Sequence, residues 1–151
     1  MKIQHMAFAV RDAEQALEKY RALLSAGDDA EIVDYAKSKT RVALFRVGGI
    51  EYQLCQSLEP GGRFDAWLKE RGSEGLHHIC YAVPSIEDAL DAAIAKGATL
   101  KTCVACGVAG KHPHPEGFVA FLNEDVGGLE VEFMQLYTDA ELEEYASVKG
   151  I

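Results

Sequence analysis

Long apolar runs, a secretory leader and an excess of positive charge are all missing from this sequence. No stretch approaches the ~20 apolar residues that span a bilayer, and the first residues lack the apolar centre of a signal peptide. We therefore predict a cytoplasmic protein with no membrane partner. The net charge of −9 at pH 7 argues against nucleic acid as a partner, because Lys and Arg supply most of that affinity.

Cysteine is also scarce. The four cysteines, Cys55, Cys80, Cys103 and Cys106, do not make a secreted disulfide framework in a chain of 151 residues. Cys103-Val-Ala-Cys106 raises a zinc or a redox hypothesis. A structural zinc site needs four ligands, and a thioredoxin-like pair opens a helix, whereas this pair ends a predicted strand. The role of the pair stays open.

The sequence does contain one internal repeat. His5-Met-Ala-Phe-Ala-Val10 matches His78-Ile-Cys-Tyr-Ala-Val83, and each β-rich run is followed by apolar residues at helical spacing. Each copy closes with two apolar runs joined by a Gly-Gly pair, which predicts a hairpin. With further strands at about 31–35 and 99–104, each copy is predicted to be βαβββ.

These elements predict an α+β fold in one domain, residues 1–151. Two tandem βαβββ modules, at about 2–58 and 76–136, form a cupped, partly closed mixed β-sheet with flanking helices. A linker helix is expected at about 60–75 and a C-terminal helix at about 139–148. About six extra residues of the second module fall in the loop 107–116, which either lines the site or is an ordinary surface loop.

The polar face of each module carries metal-ligand side chains at equivalent positions. Alternate residues on a strand share a face, which places His5 and Gln53 on the inner face of module 1. His78 and Glu132 take the matching places in module 2. Two imidazoles, an amide oxygen and a carboxylate suit one divalent cation with water in its remaining positions. The sequence does not choose among Co, Zn, Ni and Mn.

Three residues close to these ligands in the sequence are not predicted to bind the metal. Glu51 and Glu130 share faces with the ligands, but their strand-end positions favour solvated carboxylates. His77 is expected to face outward and not to bind the metal, because the repeat aligns His78 with His5.

The run Gly75-Leu-His-His-Ile-Cys-Tyr-Ala-Val83 and the paired βαβββ halves resemble the vicinal oxygen chelate superfamily. That superfamily includes glyoxalase I, methylmalonyl-CoA epimerase, extradiol dioxygenases and bleomycin-resistance proteins. The resemblance runs from Lys2 to about Leu136 and implies a glyoxalase-like fold. It is greatest to the methylmalonyl-CoA epimerase family, whose ligand positions correspond to His5, Gln53, His78 and Glu132.

This resemblance implies a metal-dependent isomerase or lyase. Its substrate would be a small molecule with vicinal oxygens, such as an acyl-CoA thioester, which reacts through an enediolate; a homodimer is also implied. Glu132 is the candidate base. Members of the epimerase family are expected to carry a second acid on the strand before the Gln-bearing one, but Thr40-Arg-Val-Ala-Leu-Phe45 has none. Glu51 and Glu130 are the candidate substitutes.

Three alternatives stay open at this point. A lactoylglutathione lyase like glyoxalase I uses a similar ligand set. An Fe(II) extradiol-type dioxygenase would use His5, His78 and Glu132 as a 2-His-1-carboxylate set. A drug- or metabolite-binding resistance protein would sequester its ligand without chemistry.

Overall fold

The computed structural model describes residues 1–147. Its strands and helices follow the predicted order closely. They are β1 Lys2–Ala9, α1 Ala13–Leu24, β2 Glu31–Tyr35, β3 Thr40–Val47, β4 Ile50–Ser57, α2 Arg63–Arg71, β5 Gly75–Ala82, α3 Ile86–Ile94, β6 Leu100–Lys101, β7 His112–Pro113, β8 Gly117–Val126, β9 Leu129–Leu136 and α4 Asp139–Glu144.

The chain divides into two compact units. The first unit is His5–His77, and the second consists of Met1–Gln4 with the described part of His78–Ile151. Strands of the first unit lie in the order β2-β3-β4-β1, and those of the second in the order β5-β9-β8-β6, with β7 also paired to β8. The expected single domain of residues 1–151 stays a prediction.

Both units repeat the same strand register. In the first, β1 runs parallel to β4, which pairs His5 with Glu51. In the second, β5 runs parallel to β9, which pairs His78 with Glu130. The repeat inferred from the sequence is therefore a repeat of strand pairing, and the α+β class with two βαβββ modules is confirmed.

Glycine pairs form the two hairpin turns as predicted. Gly48 and Gly49 join β3 to β4 with φ of 57° and 81°, and Gly127 and Gly128 join β8 to β9 with φ of 64° and 77°. Two successive positive φ angles are the requirement of a two-residue hairpin turn, and glycine meets it without strain.

One face of each strand set packs against a helix that follows the first strand of its module. Leu17 of α1 packs with Phe45 and Leu54 in the first unit. Leu90 of α3 packs with Val131 and Phe133 in the second unit. Side-chain caps start both helices: Asp12 accepts from the backbone of α1, and Ser85 does so for α3.

The small-residue faces are covered as well. In the first unit, Phe64 and Leu68 of α2 pack on Ala7, Ala9 and Cys55. In the second unit, Cys80 packs with Val119, Phe121, Met134 and Cys103. Cys55 and Cys80 thus line the core as small side chains, with 2% and 0% of their surfaces exposed.

Two predicted boundaries are wrong. The strand expected at 99–104 shrinks to Leu100–Lys101, because the chain turns at Cys103, whose carbonyl accepts a 2.9 Å hydrogen bond from the Gly107 N–H. Part of the expected loop 107–116 forms β7 instead. Helix α4 covers Asp139–Glu144, and the predicted end of this helix near residue 148 lies outside the described residues.

Within residues 1–147, no helix is long and apolar enough to cross a membrane.

Candidate active site

His78 and Glu132 lie together in the second unit. Parallel pairing of β5 with β9 turns both side chains to the same face. His78 Nε2 is 3.2 Å from Glu132 Oε2, and the side chains are only 5% and 6% exposed. A buried imidazole and carboxylate at this separation suit two neighbouring ligands of one cation, because donor atoms about 2.0–2.2 Å from one metal ion lie roughly this far apart.

Gln53 is oriented by Glu51 in the first unit. The Gln53 amide donates a 2.7 Å hydrogen bond from Nε2 to Glu51 Oε1. An ionised carboxylate only accepts hydrogen bonds, so the amide nitrogen makes this contact. The Gln53 carbonyl oxygen is then the side-chain atom that can bind a cation. His5 lies opposite Glu51 in the register of β1 with β4 and is buried, with 4% of its surface exposed.

The expectation that Glu51 is a solvated carboxylate is wrong. Glu51 is 6% exposed, with its carboxylate bonded to Gln53 and 3.8 Å from the exposed guanidinium of Arg46. A carboxylate seldom stays buried without partners. The parallel register explains the burial, since it places Glu51 against β1 and not at a free strand end.

Glu130 is also not freely solvated. Its half-buried carboxylate forms an ion pair with Lys101 of β6. This contact neutralises Glu130 locally, and it makes Glu51 the stronger candidate of the two for proton transfer.

His77 does not face outward, and that expectation is wrong. The ring is 2% exposed and packs against α2, with ring centroids 4.9 Å from Phe64 and 5.4 Å from Trp67. The two adjacent histidines therefore have different environments, because neighbouring residues on a strand point to opposite faces.

Sequence analysis missed one further cluster. The structure brings His112 and His114 to Cys103 and Cys106, all within the second unit. Each thiol sulfur is 3.5 Å from His114 Nε2. The signal in the sequence is C-x2-C-x5-H-x-H in residues 103–114, in which the cysteine pair ends a predicted strand and the two histidines lie in a predicted loop.

The cluster shifts the acidity of its own members. Burial raises the pKa of the Cys103 thiol, but the imidazoles of His112 and His114 and the Cys106 backbone N–H outweigh it and lower that pKa to about 5. Burial lowers the pKa of His112, whereas Cys103, the Gly110 carbonyl and the charge of Glu132 raise it, with a net increase. The cluster is thus within electrostatic reach of Glu132.

Comparison with protein families identifies the fold's relatives. A model described as the Glyoxalase/Bleomycin resistance protein/Dioxygenase superfamily matches residues 4–121. The chain belongs to this superfamily. The predicted resemblance is confirmed, and the glyoxalase superfamily accounts for the paired βαβββ units.

Several proteins similar to this chain are named methylmalonyl-CoA epimerase. The human mitochondrial methylmalonyl-CoA epimerase is 30% identical over 136 residues, which cover 89% of this chain and 73% of the relative. The methylmalonyl-CoA epimerase of Mycobacterium tuberculosis superposes with a TM-score of 0.73 at 21% identity, covering 93% of this chain and 91% of that one. The Streptomyces coelicolor epimerase, in complex with 2-nitronate-propionyl-CoA, gives a TM-score of 0.66 at 19% identity and 91% and 99% coverage.

At 21% and 19% identity, the two solved structures establish the fold of this chain and nothing beyond it. The enzyme class comes from the sequence relatives. The prediction of an isomerase of the glyoxalase superfamily is confirmed at that level.

Proposed function

We propose that this protein is a divalent-metal-dependent epimerase that acts on an acyl-CoA thioester of the methylmalonyl-CoA type. The relatives that bear the epimerase name support the substrate class, as does the coenzyme A analogue bound to the Streptomyces coelicolor enzyme. The observation that carries the proposal is the buried His78–Glu132 pair, whose donor atoms are 3.2 Å apart.

The proposed ligands are His5, Gln53, His78 and Glu132. Each unit supplies two, and each supplies them from one parallel strand pair in the same register. The donor chemistry fits a divalent cation: Glu51 leaves the Gln53 carbonyl oxygen available, and Glu132 brings a negative charge. A bound Co, Zn, Ni or Mn ion would act as a Lewis acid and stabilise the negative charge on the enolate oxygen.

Glu132 is the proposed base for one face of the substrate. Its carboxylate takes the proton from the carbon next to the thioester carbonyl and can return it to the same face. Burial beside His78 keeps water away from this carboxylate, which strengthens its electrostatic interactions with the substrate.

Epimerisation also needs a proton donor on the other face, and we assign this role to Glu51. β3, Thr40–Val47, contains no acidic residue. Glu51 is a buried carboxylate bonded directly to a proposed ligand, a setting typical of proton-transfer groups.

Deuterium exchange tests both assignments. Each epimer of methylmalonyl-CoA is incubated in D₂O with metal-loaded protein, and loss of the C2 proton and interconversion are followed by NMR. We expect Glu51→Gln to retain its metal, to lose epimerisation by roughly 10²-fold or more, and to exchange the proton of one epimer only. Glu18→Gln, on the exposed face of α1, is the matched control and should behave like the wild type.

Two results would count against the proposal. If the Glu51→Gln variant interconverted the two epimers at the wild-type rate, Glu51 would not be the second acid. Failure of metal-loaded wild-type protein to exchange either epimer would refute the acyl-CoA epimerase and direct attention to other chelating substrates. The cytoplasmic location and the homodimer stay predictions.

A further inference from the structure

A turn and a short strand place four metal-binding side chains together in the second unit. The turn begins at Cys103, whose backbone N–H donates to the Val108 carbonyl at 2.9 Å, and it closes through Gly107, which has φ of 68°. Cys103 and Cys106 both lie on this turn. β7 then pairs with β8 and supplies His112, and His114 follows directly.

We propose that Cys103, Cys106, His112 and His114 bind a second metal ion, a structural Zn²⁺. All four side chains offer a donor atom within 4.8 Å of every other. The set is independent of the proposed epimerase ligands, since it shares no residue with them.

The distances match a tetrahedral site. With Zn–S near 2.3 Å and Zn–N near 2.0–2.1 Å, a sulfur and a nitrogen bound to the same zinc are about 3.5 Å apart. Cys103 Sγ and Cys106 Sγ are each 3.5 Å from His114 Nε2. One imidazole nitrogen has a single in-plane lone pair or proton, so equal contacts with two sulfurs fit a shared central ion better than a single hydrogen bond.

His112 adds an independent indication of a ligand. Its Nδ1 donates a 2.7 Å hydrogen bond to the Gly110 carbonyl, which leaves the lone pair on Nε2. Within residues 1–147, this buried Nε2 has no hydrogen-bond partner. A metal-bound histidine usually donates its other ring N–H to a carbonyl or carboxylate in this way, so His112 is prearranged for coordination.

The donor set selects the metal and its role. Two thiolates and two imidazoles in tetrahedral arrangement suit Zn²⁺. Four protein ligands leave no position for water or substrate, which is the property of a structural site. The neighbouring side chains include Cys80, Val119, Phe121 and Met134. Of these, the Cys80 thiol and the weaker Met134 thioether are the possible competing ligands.

The zinc ion would hold the segment between β6 and β8 against β8, the strand that pairs with β9 next to Glu132. Both imidazoles contact the Phe121 ring, with centroids 6.0 and 6.1 Å away. Phe121 is the register partner of Glu132 in the pairing of β8 with β9. A zinc at this point would therefore stabilise the wall of the second unit next to Glu132.

Cobalt substitution tests the proposal without relying on enzyme activity. Purified protein is stripped of metal, reloaded with Co²⁺ and examined by optical absorption and by metal analysis. We expect a sulfur-to-cobalt charge-transfer band together with tetrahedral d–d bands in the wild type. The double variant Cys103→Ser, Cys106→Ser should lose that band and one equivalent of metal per chain.

Two controls keep this test independent of folding and of the first site. Cys80→Ser removes a buried thiol outside the four ligands and should keep the band. His114→Cys retains four ligand side chains and should keep the metal with a stronger charge-transfer band. Circular dichroism confirms that each variant is folded before its metal content is compared.

Three outcomes would overturn the second site. These are a wild type without the charge-transfer band, a double variant that retains it, and a wild type in which thiol titration shows Cys103 and Cys106 joined as a disulfide. Loss of the epimerase metal through His78→Ala would leave the charge-transfer band intact, so failure of one site is distinguishable from failure of the other.

Discussion

The two adjacent histidines show how much one position along a strand matters. His77 and His78 are both buried, but the His77 ring contacts the rings of Phe64 and Trp67, whereas His78 lies next to Glu132. The alignment of His78 with His5 in the repeat predicted that His78, and not His77, is the ligand. It did not predict that the other would be core, because a helix placed on that face is a tertiary feature.

The first prediction separates these roles. His77→Ala should lower the free energy of unfolding by roughly 2–4 kcal/mol, because it leaves a cavity beneath α2, but the protein should keep its metal. His78→Ala should release the metal at a smaller cost in metal-free stability. Denaturant unfolding and metal analysis of both variants check this, and metal loss from folded His77→Ala would contradict it.

Glu51 was misassigned at the residue scale for a related reason. Its place next to the Gly48-Gly49 turn indicates exposure if only the hairpin of β3 and β4 is considered. Parallel pairing with β1 then covers it, and Gln53 satisfies one carboxylate oxygen. Burial that depends on a strand distant in sequence is not visible in a local pattern.

At the scale of elements, local signals predicted most boundaries. The helical spacing of apolar residues in α1 and the glycine pairs of both hairpins are properties of residues close in sequence. β6 was overestimated because apolar residues continue to Val104, although the chain has already turned at Cys103. The turn is stabilised by backbone hydrogen bonds that composition does not reveal.

A second prediction concerns the start of β8. At Gly117, an added Cβ would clash with the backbone carbonyl oxygen of Gln135 on β9 and would lie 3.0 Å from the Leu136 Cα. Gly117→Ala should therefore destabilise the protein by roughly 1–3 kcal/mol, since backbone atoms cannot move aside as a side chain can.

Gly75→Ala is the matched control for that change. Its added Cβ would meet only the Trp67 ring, at 3.8 Å, and the Arg71 side chain, at 4.0 Å, so stability should change by less than about 0.5 kcal/mol. Thermal unfolding of the two variants compares them directly. Equal stability of both would show that β8 and β9 separate more easily at Gly117 than this packing allows.

At the scale of the whole molecule, the duplicated βαβββ pattern was the most informative feature of the sequence. It predicted the strand pairing in both units and the equivalent placement of His5 with His78 and of Gln53 with Glu132. The cysteine–histidine cluster has no counterpart in the first unit, whose β2–β3 connection spans only residues 36–39. The internal repeat of the sequence therefore does not reveal this cluster.

Binding of one divalent cation by His5, Gln53, His78 and Glu132 can be measured directly by metal analysis. Wild-type protein and the double variant Gln53→Ala, His78→Ala are each incubated with Co²⁺, Mn²⁺, Ni²⁺ or Zn²⁺, passed through a desalting column and analysed for bound metal. Cys103→Ser, Cys106→Ser is used as the common background, so that the second site does not contribute. We expect one equivalent of metal per chain in that background and none after the two ligand substitutions. Equal metal content with and without those substitutions, or none in either protein, would contradict this prediction.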